Sequence, residues 1–258
     1  PGSVVTFAAG RLEVAGRLVA TGARFTGKGW EGIVLKGCDA TTVLRDCTVE
    51  GAATGIFATG GAPRLEGLTL AGNEVGMELR QKTAATLRDS RFHDNAKVGL
   101  FVKDEAAPGV TGCTFEKNGK YGAYIYRARP AVFSGNRFTG QLTALMIAYF
   151  GSDPLIEGNR FEQNTLAVLA DRAARPRLVG NYFLGNGTAL KLYRRADATV
   201  EGNRFSHNRV AVAVAYSSYP RLLKNDLEGN ETALLLEFQS SAWEEERGEA
   251  AREAEASS

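Results

Sequence analysis

Tyrosine and arginine recur at one position of a repeating pattern in the second half of this sequence. Each repeat opens with Gly or Ala and alternating apolar residues, and the aromatic and basic residues stand four to six residues later or close by. We call them the Tyr/Arg stripe: Tyr126, Arg127, Arg129, Tyr149, Phe150, Arg172, Tyr193, Arg194, Arg195, Tyr216 and Tyr219. The position is more polar in the first half, with Lys36, Arg80, Gln81, Lys82, Lys103, Asp104 and Glu105, and it also includes Asp171 and Phe238.

Residues of these types in a row are suited to binding. Aromatic faces pack on sugar rings, and the arginine guanidinium holds a carboxylate or sulfate through two parallel hydrogen bonds. The stripe therefore suits an anionic polysaccharide. It also suits a protein partner, because Tyr and Arg are enriched at protein interfaces. A third interpretation is that these residues only cover strand ends while their polar groups stay in water.

The repeat that positions the stripe runs through nearly the whole chain. Its openings are Gly32, Gly55, Gly76, Gly99, Gly122, Ala144, Ala167, Ala189, Ala211 and Ala233. Subtraction of successive positions gives intervals of 21–23 residues. Each repeat contains three short apolar runs that alternate with period two and are separated by turns rich in Gly and Asn, a pattern that predicts strands.

Such repeats predict an all-β solenoid, a right-handed parallel β-helix. One coil cannot bury its inward side chains, whereas a stack of coils buries them continuously. About ten coils at ~4.8 Å each form a rod of ~48 Å, with residues such as Val200 and Phe205 facing the core. A leucine-rich repeat has a similar period, but no segment here shows the apolar stripe of its helix.

Asparagine marks the turns of these coils. The motif GNRF or GNYF stands at 135–138, 158–161, 180–183 and 202–205, and KNDL follows at 224–227. Asparagine tolerates left-handed φ, and stacked asparagines can hydrogen-bond in a ladder along the rod. In earlier coils, Cys47 and Cys113 occupy the inward turn position that the asparagine of this motif occupies later. They should lie ~14 Å apart, too far for a disulfide. We expect these two and Cys38 to be buried thiols.

The GN-x-F motif, the Asn that follows it and the Gly-opened strand together resemble the right-handed β-helix repeats of carbohydrate-binding proteins and sugar hydrolases. They also resemble repeats of periplasmic copper-enzyme maturation proteins. The resemblance covers roughly residues 11–241. Its superfamily, the pectate-lyase-like proteins, includes polygalacturonases, pectin methylesterases and mannuronan epimerases. The resemblance implies the fold only, because the matching residues are structural.

The catalytic sequence motifs that this resemblance would imply do not occur in the sequence. There is no Asp-Asp pair of the hydrolases and no Asp-Pro-His-Asp of the epimerases. Asp104 and Asp171 should lie ~14 Å apart, beyond the ~5–9.5 Å of paired glycosidase carboxylates. Beside Lys103 or Arg172, either could still support a lyase. His93 and His207 stand beside turns, where exposed residues are the expectation.

We therefore predict no catalytic residue, no metal site and no cofactor. The net charge of +2 gives no reason to expect nucleic acid as a partner, and no apolar run approaches the ~18 residues needed for membrane insertion. The expected function is a non-catalytic binding or scaffold module that presents the stripe to a protein partner or a polysaccharide. The alternative is a lyase, hydrolase or epimerase of acidic glycans.

The predicted domain organisation is simple. Residues 4–241 are expected to form the β-helix, and the acidic, Ala-rich residues 242–258 a short helix, a disordered tail or a linker. Residues 1–3 resemble a cloning remnant. We accordingly expect a piece of a larger multidomain bacterial protein, in the periplasm or at the cell surface.

Overall fold

A computed structural model describes residues 2–237 as a rod of three parallel sheets, in which each coil contributes one strand to each sheet. The predicted right-handed β-helix is confirmed, with eleven strands in its largest sheet where about ten coils were expected. The strands are numbered β1–β31 in chain order. Phe238 and the predicted tail 242–258 lie outside the described residues.

Sheet A has ten strands, most of them three residues long with one buried residue at the centre. The strands are β1 (Val4–Phe7), β4 (Arg24–Trp30), β7 (Thr48–Ala52), β10 (Thr69–Ala71), β13 (Arg91–His93), β16 (Thr114–Glu116), β19 (Arg137–Thr139), β22 (Arg160–Glu162), β25 (Tyr182–Leu184) and β28 (Arg204–Ser206). Because side chains alternate across a strand, the two flanking residues face outward.

Sheet B has eleven longer strands, and these contain the Gly- or Ala-opened runs of the sequence. They are β2 (Arg11–Val14), β5 (Gly32–Lys36), β8 (Thr54–Thr59), β11 (Val75–Arg80), β14 (Val98–Lys103), β17 (Tyr121–Tyr126), β20 (Thr143–Ala148), β23 (Leu166–Asp171), β26 (Thr188–Tyr193), β29 (Val210–Ala215) and β31 (Thr232–Glu237). The turns that follow five of these strands, β17, β20, β23, β26 and β29, carry the residues of the Tyr/Arg stripe.

Sheet C closes the coil with ten strands of three residues each. They are β3 (Val19–Thr21), β6 (Val43–Arg45), β9 (Arg64–Glu66), β12 (Thr86–Arg88), β15 (Gly109–Thr111), β18 (Val132–Ser134), β21 (Leu155–Glu157), β24 (Arg177–Val179), β27 (Thr199–Glu201) and β30 (Arg221–Leu223). Within the described part of the chain, no helix has the length and apolar character needed to cross a bilayer.

The core is a set of columns of identical or similar side chains. The longest aromatic column belongs to sheet A, where neighbouring rings stack with centroids 4.5–5.0 Å apart. Its members are Phe92, Phe115, Phe138, Phe161, Phe183 and Phe205. The predicted inward residues Val200 and Phe205 are fully buried. Ring-on-ring stacking keeps consecutive coils in register, since a one-residue slip would turn each ring outward.

Two of the three corners carry buried amide ladders. The corner between sheets C and A carries the predicted one, Asn136, Asn159, Asn181, Asn203 and Asn225. The corner between sheets A and B carries a second, Asn73, Asn95, Asn118, Gln141, Asn164, Asn186, Asn208 and Asn230. Cys38, Cys47 and Cys113 are buried free thiols, as expected. The third corner, between sheets B and C, carries the Tyr/Arg stripe.

Candidate binding surface at the corner of sheets B and C

The stripe is displayed by tight turns whose first residue has left-handed φ. The φ values are 48° at Arg127, 54° at Arg172 and 52° at Arg194. This conformation is disfavoured for residues with a Cβ, so the surrounding structure must impose it. A buried Ser or Ala follows in each turn; for example, the Ser152 hydroxyl accepts a hydrogen bond from the Arg127 amide at 2.7 Å. The anchored backbone leaves the long side chains outside the core.

The ladder registers divide the stripe into two adjacent columns. Tyr126 pairs with Ala148, Ala148 with Asp171 and Asp171 with Tyr193, so these four form the strand-end column. The next residue in each coil belongs to the turn column: Arg127, Tyr149, Arg172, Arg194 and Tyr216. Both columns lie within the four to six positions that define the stripe in the sequence. The loop that begins at Tyr149 is one residue longer than its neighbours, but Tyr149 is its first residue and keeps its place in the turn column.

The first half of the network joins two tyrosines and two arginines. The rings of Tyr126 and Tyr149 meet edge to face with centroids 4.8 Å apart. The Arg127 guanidinium lies 5.4 and 5.3 Å from these two centroids. Arg172 lies 4.9 Å from the Tyr149 centroid and donates a hydrogen bond to the Tyr149 hydroxyl at 2.5 Å. Cation–π contacts thus hold both guanidinium groups beside the rings.

The second half is centred on the buried carboxylate of Asp171. Arg194 donates from Nε to this carboxylate at 2.7 Å and makes a second contact through its terminal nitrogen. The hydrogen bonds that Arg194 donates to Asp171 raise the pKa of Arg194. Arg194 also lies 4.7 Å from the Tyr193 centroid, and the Tyr193 and Tyr216 rings meet edge to face at 4.5 Å. A hydrogen bond with Tyr193 raises the pKa of Tyr216.

Four residues of the stripe lie outside this network. Phe150 and Tyr219 project from the turns, with 74% and 76% of their surface exposed. Arg129 pairs with Asp153 at 2.7 Å and approaches the Gly151 carbonyl. Arg195 follows Arg194 in its turn and is exposed. The structure therefore brings together Tyr126, Arg127, Tyr149, Arg172, Tyr193, Arg194 and Tyr216.

An outward column of sheet B extends the surface and was missed in the sequence. It contains Val34, Phe57, Glu78, Phe101, Tyr124, Met146 and Leu169. The rings of Phe101 and Tyr124 stack at 4.9 Å, and Tyr121 and Tyr126 pack against Tyr124. The alternation in GLFVK and GAYIY was the available signal, because it places these aromatic residues opposite the inward ones.

Charges on this column are largely compensated. Glu78 is 7% exposed, contacts Arg80, and lies 3.5 Å from the Lys103 ammonium. Lys103 also lies 5.0 Å from the Phe101 centroid. Burial raises the pKa of Tyr124 to about 12, so its phenol remains a hydrogen-bond donor in neutral solution. Sheet B therefore presents stacked aromatic rings and the neutral Tyr124 hydroxyl beside the arginine-rich corner of sheets B and C.

Within residues 2–237, the described side chains form no group of three or more His, Cys, Asp and Glu that could hold a metal ion. His93 is half-buried and contacts the Asp94 carboxylate at 2.7 Å. His207 is exposed and contacts the Ser206 hydroxyl at 2.7 Å. Each of these contacts joins two residues that are adjacent in sequence, so neither contact indicates that the histidine belongs to a catalytic or metal site.

Fold and surface define a β-solenoid with an aromatic and cationic corner. The profile of the family described as right handed beta helix region matches residues 31–110 and 98–244, and the chain belongs to this family. No curated protein sequence matches the chain.

Solved structures that resemble the chain share its general fold. Two are A-modules of Azotobacter vinelandii mannuronan C-5 epimerases. AlgE4 has 14% identity, covers 92% of this chain and 88% of its own, and has a TM-score of 0.32. AlgE6 has 11% identity, coverages of 92% and 87%, and a TM-score of 0.34. A TibC-catalysed, hyperglycosylated TibA fragment has 12% identity, coverages of 93% and 97%, and a TM-score of 0.24. No functional argument rests on likenesses this distant.

Proposed function

We propose that this protein is a non-catalytic module that binds an acidic polysaccharide along the corner of sheets B and C. The observation that carries the proposal is the Tyr/Arg network, which extends without a break over five consecutive coils, from β17 to β29. At ~4.8 Å per coil the network is ~19 Å long, enough for several sugar residues of an extended chain.

The repetition of the network favours a polymer over a compact partner. A solenoid presents similar groups at each coil, and a polysaccharide presents similar groups at each sugar. Within the described residues, no carboxylate lies within 4.0 Å of the guanidinium of Arg127 or Arg195. These cations can bind sugar carboxylates or sulfates, while the tyrosine hydroxyls of the network can hydrogen-bond to sugar hydroxyls.

Two carboxylates of this surface are already engaged by cations, which favours binding without turnover. Glycosidases need two carboxylates free to act as acid and base or nucleophile. Asp171 is buried and held by Arg194, while Glu78 is buried beside Arg80 and Lys103. Both carboxylates thus serve to fix cations in place.

The test is a binding titration with polygalacturonate, alginate and heparin, with neutral dextran as the reference polymer. Binding to at least one acidic polymer is expected, and it should weaken as salt is added. Arg127→Gln with Arg172→Gln should weaken it at least about tenfold, because each charged hydrogen bond contributes ~1.5–3 kcal/mol. The matched control, Arg88→Gln with Arg209→Gln, changes two exposed arginines away from the corner and should bind normally.

Two results would overturn the proposal. One is equal affinity of the Arg127/Arg172 variant and the unmodified protein, or no binding to any acidic polymer. The other is turnover: unsaturated uronate measured by absorbance, new reducing ends, or epimerised sugars detected by NMR would show that the module is catalytic.

A further inference from the structure

Diagonal Arg–Glu pairs cross the outward face of sheet A at three places. An arginine at the first position of one strand pairs with a glutamate at the third position of the next strand in the sheet. In each case the arginine Nε donates to the carboxylate at 2.9 Å: Arg24 to Glu50, Arg91 to Glu116 and Arg137 to Glu162. The arginines of β4, β13 and β19 are thereby paired, whereas β7, β10 and β16 have threonine at the first position.

The pattern breaks at β25. Tyr182 takes the position of the arginine and Leu184 the position of the glutamate, and they are 49% and 42% exposed. Arg160, in the preceding strand, therefore has leucine where its diagonal partner would stand. It turns instead to Glu162 of its own strand, with Nε donating at 3.0 Å.

This break leaves an apolar depression of about 290 Å³ between basic groups. It is lined by Arg160, Tyr182, Phe183, Leu184, Arg204, Ser206 and His207. Tyr182 lies between Arg160 and Arg204 in the ladder, and the Arg160 guanidinium is 5.6 Å from its ring centroid.

Positive charge exceeds negative charge around the depression. Glu162 accepts hydrogen bonds from both Arg137 and Arg160, so one carboxylate serves two guanidinium groups. Although partial burial opposes it, these bonds lower the pKa of Glu162. Within the described residues, the ion pair of Arg204 is a longer contact, 3.5 Å, to the exposed Asp226. A carboxylate from outside would therefore complete the local pairing.

We propose that this depression docks an acidic segment of a partner protein. An apolar side chain of the segment packs on Tyr182 and Leu184, and a carboxylate beside it binds Arg160 or Arg204. The charge favours this occupant over a second copy of the same chain, because two such surfaces facing each other would bring arginine against arginine. The site is on sheet A, away from the polysaccharide surface and independent of it.

The test uses NMR of the leucine methyl groups with a defined peptide, acetyl-Glu-Phe-Glu-Leu-Glu amide. Saturable shifts of the Leu184 methyls are expected. Tyr182→Arg with Leu184→Glu restores the charge pattern of the sheet and should stay folded. Its affinity for the peptide, measured by fluorescence polarisation with a labelled copy, should be at least tenfold weaker. Val132→Arg with Leu155→Glu, at exposed apolar positions of sheet C, is the matched control and should bind normally.

Other peptides and ligands separate the alternatives. Acetyl-Lys-Phe-Lys-Leu-Lys amide and acetyl-Glu-Ala-Glu-Ala-Glu amide should both bind at least tenfold more weakly, since each lacks half of the recognised chemistry. Equal binding by either peptide, or by the pattern-restoring variant, would refute the site. So would no Leu184 shift at millimolar peptide, a Leu184 shift caused by polygalacturonate, or a concentration-dependent dimer that the variant abolishes.

Discussion

At the scale of single residues, Asp171 organises the Tyr/Arg network. Its carboxylate is almost fully buried at the end of β23, where an isolated charge would be costly. Arg194 compensates that charge from the next coil, and Arg172 lies 3.8 Å away in its own turn. The two guanidinium groups are thereby held beside the Tyr193 and Tyr149 rings.

Arg194→Gln should lower the free energy of unfolding by about 1.5–3 kcal/mol, because a buried carboxylate loses its charged hydrogen bonds. Urea unfolding followed by circular dichroism measures the change. Arg195→Gln alters the exposed neighbour and should stay within about 0.5 kcal/mol of the unmodified protein. Equal stability of the two variants would mean that the Asp171–Arg194 pair contributes nothing.

The cysteines should be unreactive in the folded protein. Cys113 is 1% exposed, and burial raises the pKa of its thiol to about 12. Burial likewise raises the pKa of Cys47. Alkylation by iodoacetamide near neutral pH should be negligible without denaturant, should accelerate only as the pH rises toward that pKa, and should be complete in urea, as measured by mass spectrometry. Rapid modification of Cys113 in the native protein would contradict the packing of this slot.

At the scale of elements, the amide ladder between sheets A and B contains one imperfect rung. The Gln141 side chain accepts a hydrogen bond from the backbone N–H of Asn118 at 3.0 Å, but its own Nε2 is buried and has no partner among the described residues 2–237. In the next coil the Asn164 amide group donates to Phe138 O at 3.2 Å and to Asn186 Oδ1 at 3.0 Å. The longer side chain of Gln141 therefore removes hydrogen bonds from this ladder.

Gln141→Asn should therefore stabilise the protein by about 1 kcal/mol, since it restores ladder hydrogen bonds and removes an unpartnered buried amide. Thermal unfolding should show a higher Tm. The reverse change one coil along, Asn164→Gln, should lower the Tm. A lower Tm for Gln141→Asn would indicate that the methylene lost from the core outweighs the restored bonds.

Asn181→Leu should destabilise the other ladder by at least ~3 kcal/mol. Asn181 accepts two hydrogen bonds from Asn159 and donates to Ile156 O and Asn203 Oδ1, all within 3.1 Å. Asn225→Leu, at the last rung, interrupts fewer of these bonds and should cost less. Chemical unfolding of both variants checks the order; the opposite order would place the ladder elsewhere.

The elements differ in how far the sequence predicts them. The repeated GN-x-F motif predicts the Asn136–Asn225 ladder because the same letters recur at each coil. Gln141 was not predicted as a rung because a different residue type occupies its position. Asn95 was overlooked, although it stands three residues after Phe92 as Asn118 does after Phe115. The place of Tyr149 beside Arg127 and Arg172 does follow from the repeat, because all three stand five residues after the opening of their coil.

At the scale of the whole molecule, stacking determines which side chains meet. Residues more than 20 positions apart in sequence, such as Asp171 and Arg194, contact each other because one coil separates them. The period alone therefore predicts the rod, the core columns and the approximate line of the stripe. Individual side-chain contacts depend on rotamers and turn geometry. The position of the Tyr124 ring on this surface follows from the strand register of sheet B.

The proposed polysaccharide site lies along the corner of sheets B and C. The most direct measurement is the NMR footprint of polygalacturonate, or of the best-binding acidic polymer, on the tyrosine rings. Shifts at Tyr126, Tyr149 and Tyr193 are predicted, with Tyr182 on sheet A unchanged. Shifts confined to Tyr182, or no shifts at saturating polymer, would mean that the polysaccharide does not bind at this corner.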